Sequence, residues 1–256
     1  MQTINAYAKV NIFLKITGYK DGYHTILSRF MRVDSLYDTI TLKPYRCNAF
    51  TIDGCDDIPT TSNTIFKAYK VLLAYTGSKK LEDFFTSYKV SVEKRIPSQA
   101  GLGGGSSDAA AFMRLINKVC ELEIDTKTLA KLGSQIGADL PFFIYNYPSA
   151  NVSGFGEIVE PFEEEVFQLE LFTPNIDCNT ALVYETFRTQ MLERIDPSSF
   201  VGWENHKSRD LLELVSDPTM LNDLYAAAQI TYPELKEVAP KEWFFSGSGS
   251  TFFHIS

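Results

Sequence analysis

IPSQAGLGGGSSD, residues 96–108, is preceded by a strand-like segment, Tyr88 to Val92, apolar at Val90 and Val92, and followed at once by the helical run AAAFMRLINKVCEL. Strand, glycine-rich turn and helix in that order suit the binding of a phosphate. Gly101, Gly103, Gly104 and Gly105 let the backbone take conformations closed to other residues and approach an anion with no side chain between. The N–H groups at the helix start, at the positive end of the helix dipole, then point at that anion. A Walker loop would need a lysine where Ser106 and Ser107 stand, and a dinucleotide fingerprint would need a third glycine that neither register supplies. The plain alternative is a flexible turn with Ser106 or Ser107 as an ordinary helix N-cap.

Composition bounds what surrounds this loop. The chain has 256 residues, 45% of them hydrophobic and 22% charged, enough for one large or two smaller globular domains. A formal charge of −8 argues against nucleic acid, which demands a basic face; a phosphorylated small molecule needs only a few local donors. Cys47, Cys55, Cys120 and Cys178 form no CxxC pair and have no histidine at zinc spacing, so neither a metal site nor a disulfide framework is expected. No basic segment followed by an apolar core opens the chain, and no 18 uncharged apolar residues run together. A cytoplasmic protein with no membrane partner is therefore expected.

The first strong periodicity is NAYAKVNIFLKIT. Ala6, Ala8, Val10, Ile12, Leu14 and Ile16 share one strand face, leaving Tyr7, Lys9, Asn11, Phe13 and Lys15 on the other. Lys9 and Asn11 are thus neighbours, and period alone makes theirs a solvated face. Further strands are expected at 38–42 and 49–53, and a helix at 63–75. Asp125 caps a helix over 126–136 that Gly137 ends, and GADLPFFI follows. Proline after Leu140 pushes that residue toward an extended conformation, with Asp139 in a constrained turn whose plain role is to cap a short helix. The Pro, Ser, Asn and Gly-rich stretch 146–161 is the candidate domain boundary. Beyond it the pattern gives a strand at 166–172, helices at 180–194, 210–215, 219–230 and 234–238, and a final hairpin, WFFSGSGSTFFHIS. That order suggests an α+β layer, helices on one face of a small antiparallel sheet.

NAYAKVNIFLKITGYKDGYHTI, GLGGGSSDAA, GADLPFF and SGSGSTFF, in that order and at those separations, resemble the GHMP kinase superfamily of small-molecule kinases. The AKVN and GYH signatures tighten the likeness to the branch that phosphorylates a cytidine diphosphate derivative of methylerythritol in non-mevalonate isoprenoid synthesis. The resemblance implies a two-domain GHMP kinase fold. An ATP-binding domain like ribosomal protein S5 domain 2 would occupy 1–150, and a ferredoxin-like α/β layer 151–256.

It also implies a site. Lys9 and Asp139 match the family's catalytic pair. Lys94 matches a lysine near the adenosine, and the loop over the ATP phosphates falls on Pro97, Ser98, Gln99, Ala100, Gly101, Leu102, Gly103, Gly104, Gly105, Ser106 and Ser107. Tyr23, His24 and Tyr184 match residues around the cytosine, and Asn11 a contact to the methylerythritol hydroxyls. Magnesium is expected with ATP, with Ser107 in a place to contact it and no acidic residue identifying itself as a ligand. The partner is a small cytidine diphosphate molecule, the assembly a monomer or homodimer. The chemistry agrees: phosphoryl transfer to an alcohol needs a base for the hydroxyl proton, which Asp139 offers, and positive charge near the moving group, which Lys9 offers. Without the family, His24 would be taken for a surface residue. Two departures stand out: Gln99 and Ala100 where glycines are usual, and Arg209 where the family has asparagine. The rival expectations are another GHMP kinase, of homoserine or mevalonate type, and a nucleotide or metabolite sensor without catalysis.

Overall fold

The computed structural model describes residues 1–46, 48–56, 58–215 and 217–255. Cys47 lies outside them; Cys120 and Cys178 are free thiols, both buried. In chain order the elements are β1 (Gln2–Lys20), β2 (Tyr23–Pro44), β3 (Ile52–Asp53), α1 (Thr64–Thr76), α2 (Lys79–Phe84), β4 (Tyr88–Glu93), α3 (Gly104–Val119), α4 (Thr126–Ser134), α5 (Leu140–Tyr145), β5 (Ser149–Gly154), β6 (Ile158–Pro161), β7 (Leu169–Phe172), α6 (Thr180–Gln190), α7 (Ser208–Leu214), α8 (Asp223–Thr231), α9 (Leu235–Val238), β8 (Phe244–Phe245) and β9 (Phe252–Ile255). Among the described residues no helix is long and apolar enough to cross a membrane.

Two compact units emerge. The first holds Met1–Ala8, Asp34–Ile96 and Gly103–Asn146; the second holds Lys9–Val33, Pro97–Leu102 and Tyr147–Ser256. β1 and β2 form a long hairpin whose turn residues, Asp21 and Gly22, have φ of 52° and 86°. Positive φ at both central residues is the turn that matches the twist of paired strands, and Asp-Gly is its preferred sequence. The segment expected as a separate strand at 38–42 is the far end of β2.

In the first unit, Thr39–Pro44 of β2 pair antiparallel with β4, and β3 pairs parallel with β4. Of the strand expected at 49–53, only Ile52 and Asp53 pair. α3 packs on α1 and α5, and α4 on α5. Ile65, Ala68 and Leu72 of α1, Ala109–Ala111, Phe112 and Ile116 of α3, and Leu140 and Phe142 of α5 are all buried. Apolar residues at three and four spacing place this stripe on one face of each helix.

Asp125 caps α4, accepting from Thr128 N, but the helix ends at Ser134 rather than 136. Gly137 matters for space instead: a methyl there would stand 3.2 Å from Leu140 Cδ1. Leu140 is not extended but opens α5. In the first turn Pro141 has no helical N–H to lose and its fixed φ suits the start.

In the second unit, Ile26–Met31 of β2 pair with β5, and β5 with β6. The stretch 146–161, expected as the domain boundary, holds this antiparallel β5–β6 pair, and the second unit resumes within it at Tyr147. β9 lies between β7 and β8, antiparallel to both, and α6 packs against α8. A buried guanidinium organises this unit. Arg29 donates to Asn151 Oδ1 (2.7 Å), Glu164 Oε1 (3.3 Å), Ser208 Oγ (3.3 Å) and Glu204 O (2.9 Å), and lies 3.4 Å over the Phe162 ring. Glu164 also accepts from Ser149, Ser208 N and Ser208 Oγ, so the buried ion pair keeps both partners hydrogen-bonded, as its desolvation requires.

Candidate active site

Lys9 and Asn11 are not on a solvated face: β1 is covered on both sides, and the two residues are 3% and 1% exposed. Lys9 Nζ donates to Asn11 Oδ1 at 2.5 Å and lies 4.4 Å from the Phe30 ring centroid. Asn11 Nδ2 donates to Ser28 Oγ (3.0 Å), Ser28 donates to Phe13 O, and Asn11 N donates to Ser246 Oγ (3.2 Å). A chain of satisfied donors thus holds both side chains in single positions.

The first half of the glycine loop is built into the same unit. Four consecutive carbonyls are hydrogen-bonded there: Gln99 O accepts from Cys178 N, Ala100 O from Thr251 N, Gly101 O from Ser246 Oγ and Leu102 O from Lys9 N, each at 3.1 Å. Gly101, at φ 74°, packs so closely that a methyl would stand 2.1 Å from Ser246 O; one on Gly247 would stand 3.1 Å from Gly101 O and 3.3 Å from Asn11 Oδ1. The two glycine-rich motifs, 145 residues apart, meet backbone to backbone. Gln99 takes φ 51°, left-handed backbone that a glycine would adopt without strain.

The second half of the loop lies in the first unit. Gly103, at φ 71°, caps α3 without a side-chain hydrogen bond, so neither Ser106 nor Ser107 is the N-cap. Ser107 is inside the helix: its N–H makes the first helical bond, to Gly103 O, and its hydroxyl donates to Tyr7 O at 2.7 Å. The amides of Gly104, Gly105 and Ser106 precede that bond, unspent by the helix. Gly137 of the GAD segment lies beside them, since a methyl on it would be 3.7 Å from Ser106 Oγ. Two residues on, Asp139 occupies the N-cap position of α5 but makes no capping hydrogen bond.

Also in the first unit, Lys94 sits between two carboxylates. Its Nζ donates to Asp38 Oδ2 and, at 2.7 Å, to Asp108 Oδ2. Asp38 Oδ1 accepts from Arg95 N (2.5 Å) and Ile96 N (2.8 Å). Burial alone would lower the lysine; Asp108 and Asp38 outweigh it and hold it above its ordinary value. Asp108 is pushed up to about 7, chiefly by burial, against the pull of Lys94 and with the push of Asp38. Its Oδ1 is buried without a hydrogen-bond partner.

His24 and Tyr184 come together in the second unit, ring centroids 5.2 Å apart and 39° between planes, with Tyr19 at 5.0 Å and Phe187 at 5.8 Å from His24. His24 is therefore packed, not a surface residue. Burial, then the charge of Arg188, lowers its pKa, and Nε2 is sealed without a partner. Tyr23 is not part of this group. Successive strand residues point to opposite faces, and Tyr23, 67% exposed, lies against Phe155.

The sequence expectation missed Ser28, Ser246, Asp38, Asp108, Tyr19 and Phe187. Only the SGSGS turn carried a signal, since a Ser/Gly run between two aromatic strands invites close backbone approach. Arg209 lies 5.1 Å from the Phe167 ring.

Residues 63–147 match the family model described as GHMP kinases N terminal domain. Over its full length the chain is 64% identical to 99% of a 4-diphosphocytidyl-2-C-methyl-D-erythritol kinase of Sulfurovum sp. (strain NBC37-1), and 44% identical to 97% of that of Sulfurimonas denitrificans. A crystal structure of 4-(cytidine 5'-diphospho)-2C-methyl-D-erythritol kinase superposes on 100% of this chain and 90% of its own, with a TM-score of 0.74 at 28% identity. In sequence and in fold, the chain belongs to the 4-diphosphocytidyl-2-C-methyl-D-erythritol kinase family of GHMP kinases.

Proposed function

We propose that the protein transfers the γ-phosphoryl group of ATP to the 2-hydroxyl of 4-diphosphocytidyl-2-C-methyl-D-erythritol, giving the 2-phosphate and ADP. The observation that carries this is the match at 64% identity to nearly the whole of a kinase so named. Asp139, at the N-cap position of α5, accepts the proton of the hydroxyl, as a positioned carboxylate can. Lys9 supplies positive charge to the moving phosphoryl group, and its fixed bond to Asn11 means little reorganisation as charge develops. Asn11 also orients the methylerythritol hydroxyls.

Lys94 and residues 97–107 hold ATP. The unspent amides at the start of α3 receive its phosphates, and the tied carbonyls 99–102 fix the first half of the loop. Magnesium accompanies ATP, as kinase chemistry commonly requires. His24 and Tyr184 receive the cytosine, with Tyr23 at the rim. An aromatic face holds a pyrimidine without choosing it; polar discrimination falls to His24, whose ring stands 5.2 Å from that of Tyr184. The compartment is the cytoplasm.

The test is ATP consumption by purified protein with magnesium and the cytidine substrate, beside homoserine and mevalonate as rival acceptors. Turnover confined to the cytidine substrate supports the assignment. Use of a rival acceptor would keep the fold and Asp139 but reject the cytosine pocket, and no turnover with any of the three would favour a sensor.

A further inference from the structure

We propose that Asp108, with Asp38, is a positioning residue for the nucleotide: the two carboxylates clamp the Lys94 ammonium from two sides and aim its remaining N–H at the start of α3. This rests on the kinase reading of the glycine loop and deepens it.

Three observations carry it. First, an ammonium has three N–H donors on a flexible four-carbon stem, and here Asp38 and Asp108 take two of them. Asp38 is itself fixed by the Arg95 and Ile96 amides, so the clamp is anchored to backbone. Second, the clamped nitrogen lies at the loop. A methyl on Gly104 would stand 3.6 Å from Lys94 Nζ and 3.0 Å from Ile96 Cγ2, so the bare glycine keeps the ammonium next to the first-turn amides. Third, Asp108 is a poor stability device. Two buried carboxylates surround one lysine, and Asp108 Oδ1 has no partner; burying a charge that incompletely compensated is costly. What the arrangement gains is a lysine whose freedom is already lost before ATP arrives, which is how preorganisation raises affinity.

The test is ATP and ADP binding to the full-length protein by titration calorimetry, with melting followed in parallel, for wild type, Asp108→Ala, Asp108→Asn, Lys94→Met and the double variant Lys94→Met/Asp108→Ala. Asp108→Ala is expected to weaken ATP about tenfold, the order lost with a hydrogen bond to a charged group. Asp108→Asn, which still offers Lys94 an oxygen, restores affinity to within about twofold of wild type. In the Lys94→Met background Asp108→Ala has no further effect, because Asp108 acts through the lysine. The Michaelis constant for the cytidine acceptor does not move. Equal losses from Asp108→Ala with and without Lys94, or unchanged or tighter ATP binding in Asp108→Ala, would overturn the clamp while leaving the kinase assignment standing. Absence of ATP binding by wild type would overturn both.

Discussion

The ammonium of Lys9 donates to Asn11 Oδ1 at 2.5 Å within a strand covered on both faces, and Asn11 is held in turn by Ser28. Residues two apart on a strand share a face about 7 Å apart along the chain, so the pair is built by the pleat and fixed by what covers it. Both side chains are therefore held in place and largely dry.

Lys9→Met keeps the apolar stem and removes the charge. Loss of one preorganised donor to a developing charge typically costs about 10²- to 10³-fold in rate, and kcat is expected to fall by that order while the protein still folds. Steady-state kinetics beside a circular-dichroism melt would check it; a variant with wild-type kcat would remove Lys9 from the mechanism.

Asp139→Asn tests the base. A positioned base contributes about 10² to 10⁴ in rate, so kcat should drop by that order with both Michaelis constants close to wild type. Weak binding with unchanged kcat would sink the assignment.

Gly101→Ala should be severely destabilising. The position has φ 74° and a methyl would meet Ser246 O at 2.1 Å, so both conformation and space forbid it. Two backbone segments would have to part, at a cost of about 3 kcal/mol or more, read as a melting temperature lower by about 6 °C or more. Gly105→Ala, whose methyl would meet nothing nearer than 3.6 Å, is the control that keeps the fold.

The same contrast explains what was legible in the sequence. The glycine loop, the GAD segment and the final hairpin announced themselves through local chemistry, because glycine, proline and caps act on their own neighbours. Asp21-Gly22 was an equally local signal for the first hairpin; once it is noticed, the segment at 38–42 belongs to one long strand rather than a separate one. Burial of Lys9 and Asn11 was not legible. Their cover comes from Phe30, Ser28 and Ser246, and nothing in a two-residue period reports a partner 235 residues away. The Asp38–Lys94–Asp108 clamp was hidden for the same reason, its members lying 56 and 14 residues from the lysine. Tyr23 and His24 looked like one unit because they are adjacent, but a strand sends adjacent side chains to opposite faces.

His24 should titrate below the ordinary histidine value of about 6.5, because burial and then Arg188 disfavour its charged form. The stability its neutral form contributes is complete above the unfolded value and is lost as pH falls through the lowered folded one. NMR titration of the imidazole should give that low midpoint, and the Michaelis constant for the cytidine substrate should climb over the same acidic window. His24→Ala should raise that constant and leave the one for ATP unchanged; equal loss of both would indicate misfolding instead.

Asp108 gives the opposite sign. Its folded pKa is raised to about 7, chiefly by burial, from an unfolded value of about 3.9. The protonated form is therefore the one the fold prefers. Its contribution is fully present below the unfolded value and is lost as pH rises through the folded one. Asp108→Asn imitates the protonated side chain at every pH. The variant should match wild type near pH 4 and melt several degrees higher at pH 8, the gap opening progressively up to about pH 7 and constant above it. Melting curves at four or five pH values decide it. A gap independent of pH would mean that Asp108 is ionised throughout, with Lys94 outweighing burial. A gap that opens with rising pH would show that the chain keeps, beside its phosphate loop, a carboxylate that weakens the fold.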